Sequence, residues 1–129
     1  GLTRIKMFGT LPYADLVRIE ETADAFLILF DPSIEWNGYR LAASNRLYEA
    51  MMLGKPVITT VNNREVEKIG CCLFSGYNAE DIREKVSYLM QNPEERNRLG
   101  KAGYAAARKK YNWEHMEKLL LKCYEGLLN

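Results

Sequence analysis

Ala43-Ser-Asn-Arg-Leu-Tyr-Glu-Ala-Met-Met-Leu-Gly-Lys-Pro-Val-Ile-Thr59 reads as a helix start that runs directly into a buried strand. Ser44 or Asn45 suits an N-cap. Leu47, Ala50 and Met51 recur at the spacing of an inward face, Gly54 suits the position just past a helix end, and Pro56 blocks continuation. The pattern predicts a short helix over 45–53. Free N–H groups at its start, the positive end of the helix dipole and the Arg46 side chain would together favour a phosphate. Glu49 falls one turn further in, about 6 Å along the axis at ~1.5 Å per residue. That offset suits a carboxylate accepting hydrogen bonds from a ribose whose phosphate rests at the helix start. An ordinary capped helix with a solvated glutamate accounts for the same residues, because such caps are common without any phosphate ligand.

Working outward, four short and nearly continuous apolar runs are strand candidates: 5–8, 25–30, 56–60 and 71–74. Runs of this kind alternating with helical patterns predict parallel strands covered on both faces. The fold class expected is therefore α/β, a three-layer Rossmann-like parallel sheet with right-handed crossovers. Helical patterns cover 13–22, 45–53 and 64–68, lengths that fit crossovers. The chain then turns purely helical. Asn78 can cap a helix that carries Ile82, Val86 and Leu89 on one face. Asn92, with Pro93 at the first helical position and Glu95 third, resembles a capping box for a helix reaching about Lys110. Asn112 can cap the last helix, where Trp113, Met116, Leu120, Cys123 and Leu127 recur at i, i+3 and i+4.

With 129 residues, 47% hydrophobic and 27% charged, the chain can bury one core, and residues 1–129 are expected to form a single domain. A formal net charge of +1 gives no general drive toward nucleic acid or an anionic surface, so any anion site must be local. No segment approaches the ~20 apolar residues of a membrane span, and the N-terminus shows no secretory pattern. Cys71, Cys72 and Cys123 lack metal-ligand spacing and read as buried thiols of a reducing, cytoplasmic compartment. The single histidine, His115, reads as a surface residue. The basic cluster Arg108-Lys109-Lys110 closes a helix, where cations suit the dipole.

Several of these segments resemble the C-terminal lobe of GT-B glycosyltransferases, in particular family 4 of retaining enzymes that use sugar nucleotides. Met7-Phe8-Gly9-Thr10-Leu11-Pro12 with Asp15-Leu16 is similar to that family's strand, Gly-x-Leu-Pro turn and short helix. Ala23-Asp24-Ala25-Phe26 is similar to the strand that follows. Asn45-Arg46-Leu47-Tyr48-Glu49-Ala50-Met51 and Gly54-Lys55-Pro56-Val57-Ile58 carry the most specific likeness, to an Asn-Lys-Leu-(Phe/Tyr)-Glu-x-Met and Gly-Lys-Pro-Val-Ile form. Asn92-Pro93-Glu94-Glu95-Arg96, Leu99-Gly100, Gly103 and Tyr111-Asn112-Trp113 resemble the terminal helices, so the likeness covers roughly residues 4 to 128.

The resemblance implies a donor site in which Glu49 binds the ribose hydroxyls and Ser44, Asn45 and Arg46 hold the diphosphate. In this site Arg46 stands for the more usual Lys. It also implies that the backbone of Gly9, Thr10 and Leu11, at a strand's C-terminal end, contacts the base. The loop from Asp31 to Arg40, with Gly38, would face the sugar. No catalytic residue and no metal is assigned, and no cofactor beyond the nucleoside diphosphate sugar. Many members pair two glutamates with seven residues between them, but Leu41, eight before Glu49, stands where the first would be, and Glu35 is wrongly spaced for that role.

Neither the strand and Gly-rich turn that open such a lobe nor their basic pair precede Arg4. The chain is therefore expected to be a fragment, inactive by itself, of a hexosyltransferase-type enzyme of polysaccharide biosynthesis. The acceptor, a glycan or a lipid-linked molecule, would bind the absent N-terminal lobe. The resemblance allows peripheral association of the full-length protein with the inner face of the membrane; nucleic acid is not an expected partner. The alternative is a non-catalytic α/β nucleotide-binding or interaction module. A receiver-like or flavodoxin-like domain fits poorly, since no acidic cluster follows the first strand and no Ser/Thr-rich loop precedes the first helix.

Overall fold

The computed structural model describes residues 4–128. Ten elements follow one another: α1 (Tyr13–Glu21), β1 (Phe26–Ile28), α2 (Asn37–Ala42), α3 (Asn45–Met52), β2 (Val57–Thr59), α4 (Arg64–Ile69), β3 (Cys72–Phe74), α5 (Ala79–Gln91), α6 (Pro93–Lys109) and α7 (Trp113–Leu128). The protein is thus a mixed α/β structure built on a three-stranded parallel sheet in the order β1-β2-β3. Parallel neighbours need long crossovers, and α2 with α3, then α4, supply them. The register aligns Phe26, Val57 and Cys72, then Leu27, Ile58 and Leu73, then Ile28, Thr59 and Phe74. Central β2 is buried at all three positions, which fits its β-branched Val57-Ile58-Thr59 run without hydrophobic–polar alternation.

Side chains alternate across the sheet, and the two faces feed two clusters. Phe26, Ile28, Val57 and Cys72 pack with Leu41, Leu47, Ala50, Met51, Val66 and Ala107. Ile58 points the other way, onto Leu89 and Leu99, with Leu73 and Val86 beside it. Beyond the strands the Thr60 hydroxyl accepts from Phe30 N at 2.9 Å and donates to Phe30 O at 2.5 Å, so a side chain continues the β1–β2 pairing where the backbone ladder stops.

The pivotal helix α3 ends as its sequence requires. Lys55 N donates to Ala50 O at 2.8 Å and Gly54 N to Met51 O at 3.0 Å, with Gly54 at φ +65°, the left-handed conformation that glycine adopts without a Cβ penalty. This paired closure turns the chain through buried Pro56 into β2.

Four expectations are corrected. The run Ile5–Phe8 forms no strand: it lies exposed, Met7 at 88%, and is paired with no strand among the described residues. A parallel strand exists only against a neighbour, and an apolar run does not provide one. The loop expected over 31–40 ends in α2, a helix hidden by the Asn and Gly at its start. Asn92 makes no capping box, since its side chain accepts no bond from α6. Its amide instead donates backward to Tyr88 O at 2.8 Å, closing α5, while Glu95 is taken by Arg98 at 2.7 Å. Cys71 and Cys72 are buried, but Cys123 is exposed, because α7 buries none of its residues.

Candidate functional site

Helix α1 starts at Pro12, whose carbonyl accepts from Asp15 N and Leu16 N at 3.1 Å. Leu16, Val17 and Ile19 are half-buried on its inner side, and the same side carries Glu20, only 6% exposed. Helix α3 buries Leu47, Ala50 and Met51, which turns Arg46 and Glu49 toward α1. Between the two helices lies a cleft of about 380 Å³, lined by Tyr13, Val17 and Glu20 from one side and by Tyr48, Glu49 and Met52 from the other.

Arg46 organises the charges. Its Nη1 is in ion-pair contact with Glu20 Oε1 and lies 3.6 Å from Glu49 Oε2, three residues along the same helix. The Arg46 side chain is 49% exposed, so about half of it still faces solvent. At the start of α3, Ser44 holds the N-cap position without a side-chain cap bond. Its carbonyl accepts from Leu47 N at 3.0 Å, and among the described residues the N–H groups of Asn45 and Arg46 donate to nothing. The helix start therefore presents two free donors. Tyr48 donates its hydroxyl to Ala42 O at 2.5 Å and stacks at a tilt on Tyr111, ring centres 5.8 Å apart. Burial, reinforced by the Glu65 charge and opposed by Lys110, raises the Tyr48 pKa and keeps it a neutral donor.

The sequence candidates fall into two groups. Ser44, Asn45, Arg46 and Glu49 share one turn and a half of α3, with Glu49 in the cleft wall. Gly9 (φ +67°), Thr10 and Leu11 form the irregular approach to α1 but do not line the cleft, and Gly38 belongs to the first turn of α2. Within 31–40, Asp31 accepts from Ser33 N at 2.9 Å and Ser33 Oγ at 2.7 Å. Those bonds lower its pKa and tie it to a local turn. Glu20 is the residue sequence reasoning missed. Its signal was present, for it stands three residues from Val17 and four from Leu16, on the inward face of an amphipathic helix.

A larger groove, about 780 Å³, lies elsewhere, between α4, the end of α6 and the start of α7. Arg64, Lys68, Lys110 and half-buried His115 line it, together with Glu65, which is tied to Lys110 at 3.1 Å and the Tyr111 hydroxyl at 2.9 Å. Among the described residues no helix is long and apolar enough to cross a membrane, and no group of three or more His, Cys, Asp or Glu is placed to hold a metal ion.

The structure is that of a mixed α/β protein in which a three-stranded parallel sheet carries a cleft beside helix α3. The chain belongs to the glycosyl transferase-like family, which it matches over residues 3–122. It is similar to spore coat protein SA of Bacillus subtilis (strain 168), 31% identical over 83 residues, which make up 60% of this chain and 22% of that protein. The chain thus spans about a fifth of the length of that curated relative. No solved structure gives a match.

Proposed function

We propose that this chain is the donor-binding part, one domain over residues 1–129, of a GT-B, family 4-like glycosyltransferase. The intact protein would move a sugar, a hexose by the resemblance, from a nucleoside diphosphate sugar to a glycan or lipid-linked acceptor. Glu49, beside the cleft, accepts the ribose hydroxyls. The N–H groups of Asn45 and Arg46, next to Ser44, meet the diphosphate with the exposed edge of the Arg46 guanidinium, offsetting charge that grows on the leaving group. The approach loop of Gly9, Thr10 and Leu11 supplies backbone to the base, and Gly38 lies on the sugar side. The observation that carries this reading is the placing of Glu49 in the cleft wall one turn beyond two unbonded helix N–H groups.

A second reading, a nucleotide-binding module without catalysis, has one observation in its favour. Leu41, where the first of the family's paired glutamates would stand, is completely buried. Titration of the 129-residue chain with UDP, GDP and ADP, followed by amide NMR, tests the donor reading. Saturable shifts at Gly9, Asn45 and Glu49 that disappear in Glu49→Ala are expected. Absence of shifts at millimolar nucleotide in the wild-type chain would refute it. Turnover by the full-length protein then separates the two readings.

A further inference from the structure

Glu20 is the one buried carboxylate among the described residues; Arg46 meets its Oε1, and its Oε2 accepts no hydrogen bond there. A buried carboxylate is costly unless a cation meets it, and a leucine or methionine would fill the inner face of α1 as well. Its counter-charge is Arg46, which reaches it from the first turn of α3. Arg46 has a second claimant in Glu49, three residues on, a spacing at which opposite charges on a helix pair readily. One guanidinium cannot neutralise two carboxylates. The buried one has the stronger claim, because an unpaired charge costs most where water is excluded. Glu49, more exposed, is left with its side chain accepting no hydrogen bond among the described residues.

From this arrangement we infer that Glu20 is a positioning residue for the donor site. By holding the Arg46 guanidinium against α1, it keeps the Glu49 carboxylate open to the hydroxyl groups of a nucleotide ribose. The inference rests on the donor reading above. Without Glu20, the nearest partner left to Arg46 is Glu49, and a closed Arg46–Glu49 pair would occupy the acceptor atoms the ribose needs.

The test compares the wild-type chain with Glu20→Gln and Glu20→Leu. Affinity for UDP, GDP and ADP is read from amide shifts, and the Arg46 guanidinium is located by its side-chain NOEs to α1 and to Glu49. The Arg46 side chain is half exposed and can turn to water or to Glu49 once its partner is gone. Glu20→Leu, which replaces the buried carboxylate by leucine, should therefore keep its denaturant midpoint near the wild-type value. Its nucleotide Kd should nevertheless rise about tenfold, the worth of a hydrogen bond to a charged group. In both variants the Arg46 guanidinium should leave α1 and show side-chain NOEs to Glu49, three residues along α3. Stability held while binding falls is a pattern that a purely structural glutamate would not produce. Should Glu20→Leu fail to fold, Glu20→Gln carries the same readings. Arg46 NOEs unchanged in the variants, or nucleotide affinity equal to wild type, overturns the inference. If the wild-type chain binds no nucleotide, the donor reading falls, and the Arg46 NOEs alone decide whether Glu20 holds Arg46 away from Glu49.

Discussion

A Cβ built on Gly100 would stand 2.0 Å from the carbonyl oxygen of Gly54, so α6 crosses the end of α3 with backbone against backbone. One turn along, Gly103 faces Cys71 Cβ at 3.0 Å and Met51 Cγ at 3.4 Å. These two glycines seat α6 on the helix that carries Arg46 and Glu49. The obstacle at Gly100 is main chain at 2.0 Å that cannot rotate away, whereas at Gly103 the nearest atom, Cys71 Cβ at 3.0 Å, needs the packed elements to give by only a few tenths of an ångström. Gly100→Ala should therefore lower unfolding free energy by about 3 kcal/mol, and Gly103→Ala by about 1 kcal/mol. Urea denaturation of both variants checks the order; a Gly100→Ala chain as stable as wild type would show that α6 does not sit where described.

The tether between α4 and α6 should give stability a dependence on pH at both ends of the scale. Hydrogen bonds from the Tyr111 hydroxyl and Lys110 hold Glu65 below the ordinary glutamate value of 4.5. A depressed carboxylate contributes stability above its unfolded pKa and loses it as pH falls through the lower folded value. Lys110 is raised above 10.5, chiefly by its bond to Glu65, and Tyr111 above 10.0, chiefly by burial and then by Glu65. Raised groups contribute fully below their unfolded pKa and lose that contribution as pH rises through the folded one. Glu65→Gln should therefore melt below wild type on the plateau between these limits. The gap should close in acid below about pH 4 and again in alkali above about pH 10. The pair is exposed, so the gap is small. A gap that persists unchanged at pH 3 would mean that Glu65 acts through packing and not through charge.

Much of this architecture was readable because it is local. The helix over 45–52 declares itself through Leu47, Ala50, Met51, Gly54 and Pro56, all within one short segment, and the same logic gives Asn78 and Asn112 as caps. What escaped depends on partners distant in sequence. Residues 5–8 have a strand's composition but no neighbour to pair with, and Asn92 has two helix ends within reach and serves the earlier one. Arg46 and Glu49 were legible as a pair on one helix face. Their link to Glu20 joins positions 20 and 46, a contact that spacing within either helix cannot reveal. Whether the approach loop of Gly9 to Leu11 meets a ligand likewise depends on tertiary placement and not on the motif.

The final prediction concerns the glutamate that the family pattern would place eight residues before Glu49. Leu41 is 0% exposed and packs into the cluster that includes Leu47, Met51 and Val66. Leu41→Glu would put a carboxylate among these apolar side chains with no cation beside it, and should lower unfolding free energy by at least about 3 kcal/mol. Leu41→Met keeps the volume and the chemistry and should cost less than about 1.5 kcal/mol. The contrast, read from denaturant midpoints, separates two accounts of the missing glutamate. If Leu41→Glu is as stable as Leu41→Met, position 41 can turn a charge toward solvent, and Leu41 is then a substitution in an otherwise competent site. If it unfolds as expected, α2 is built around an apolar anchor at that point, and any contact to a donor sugar must come from a different residue of this chain.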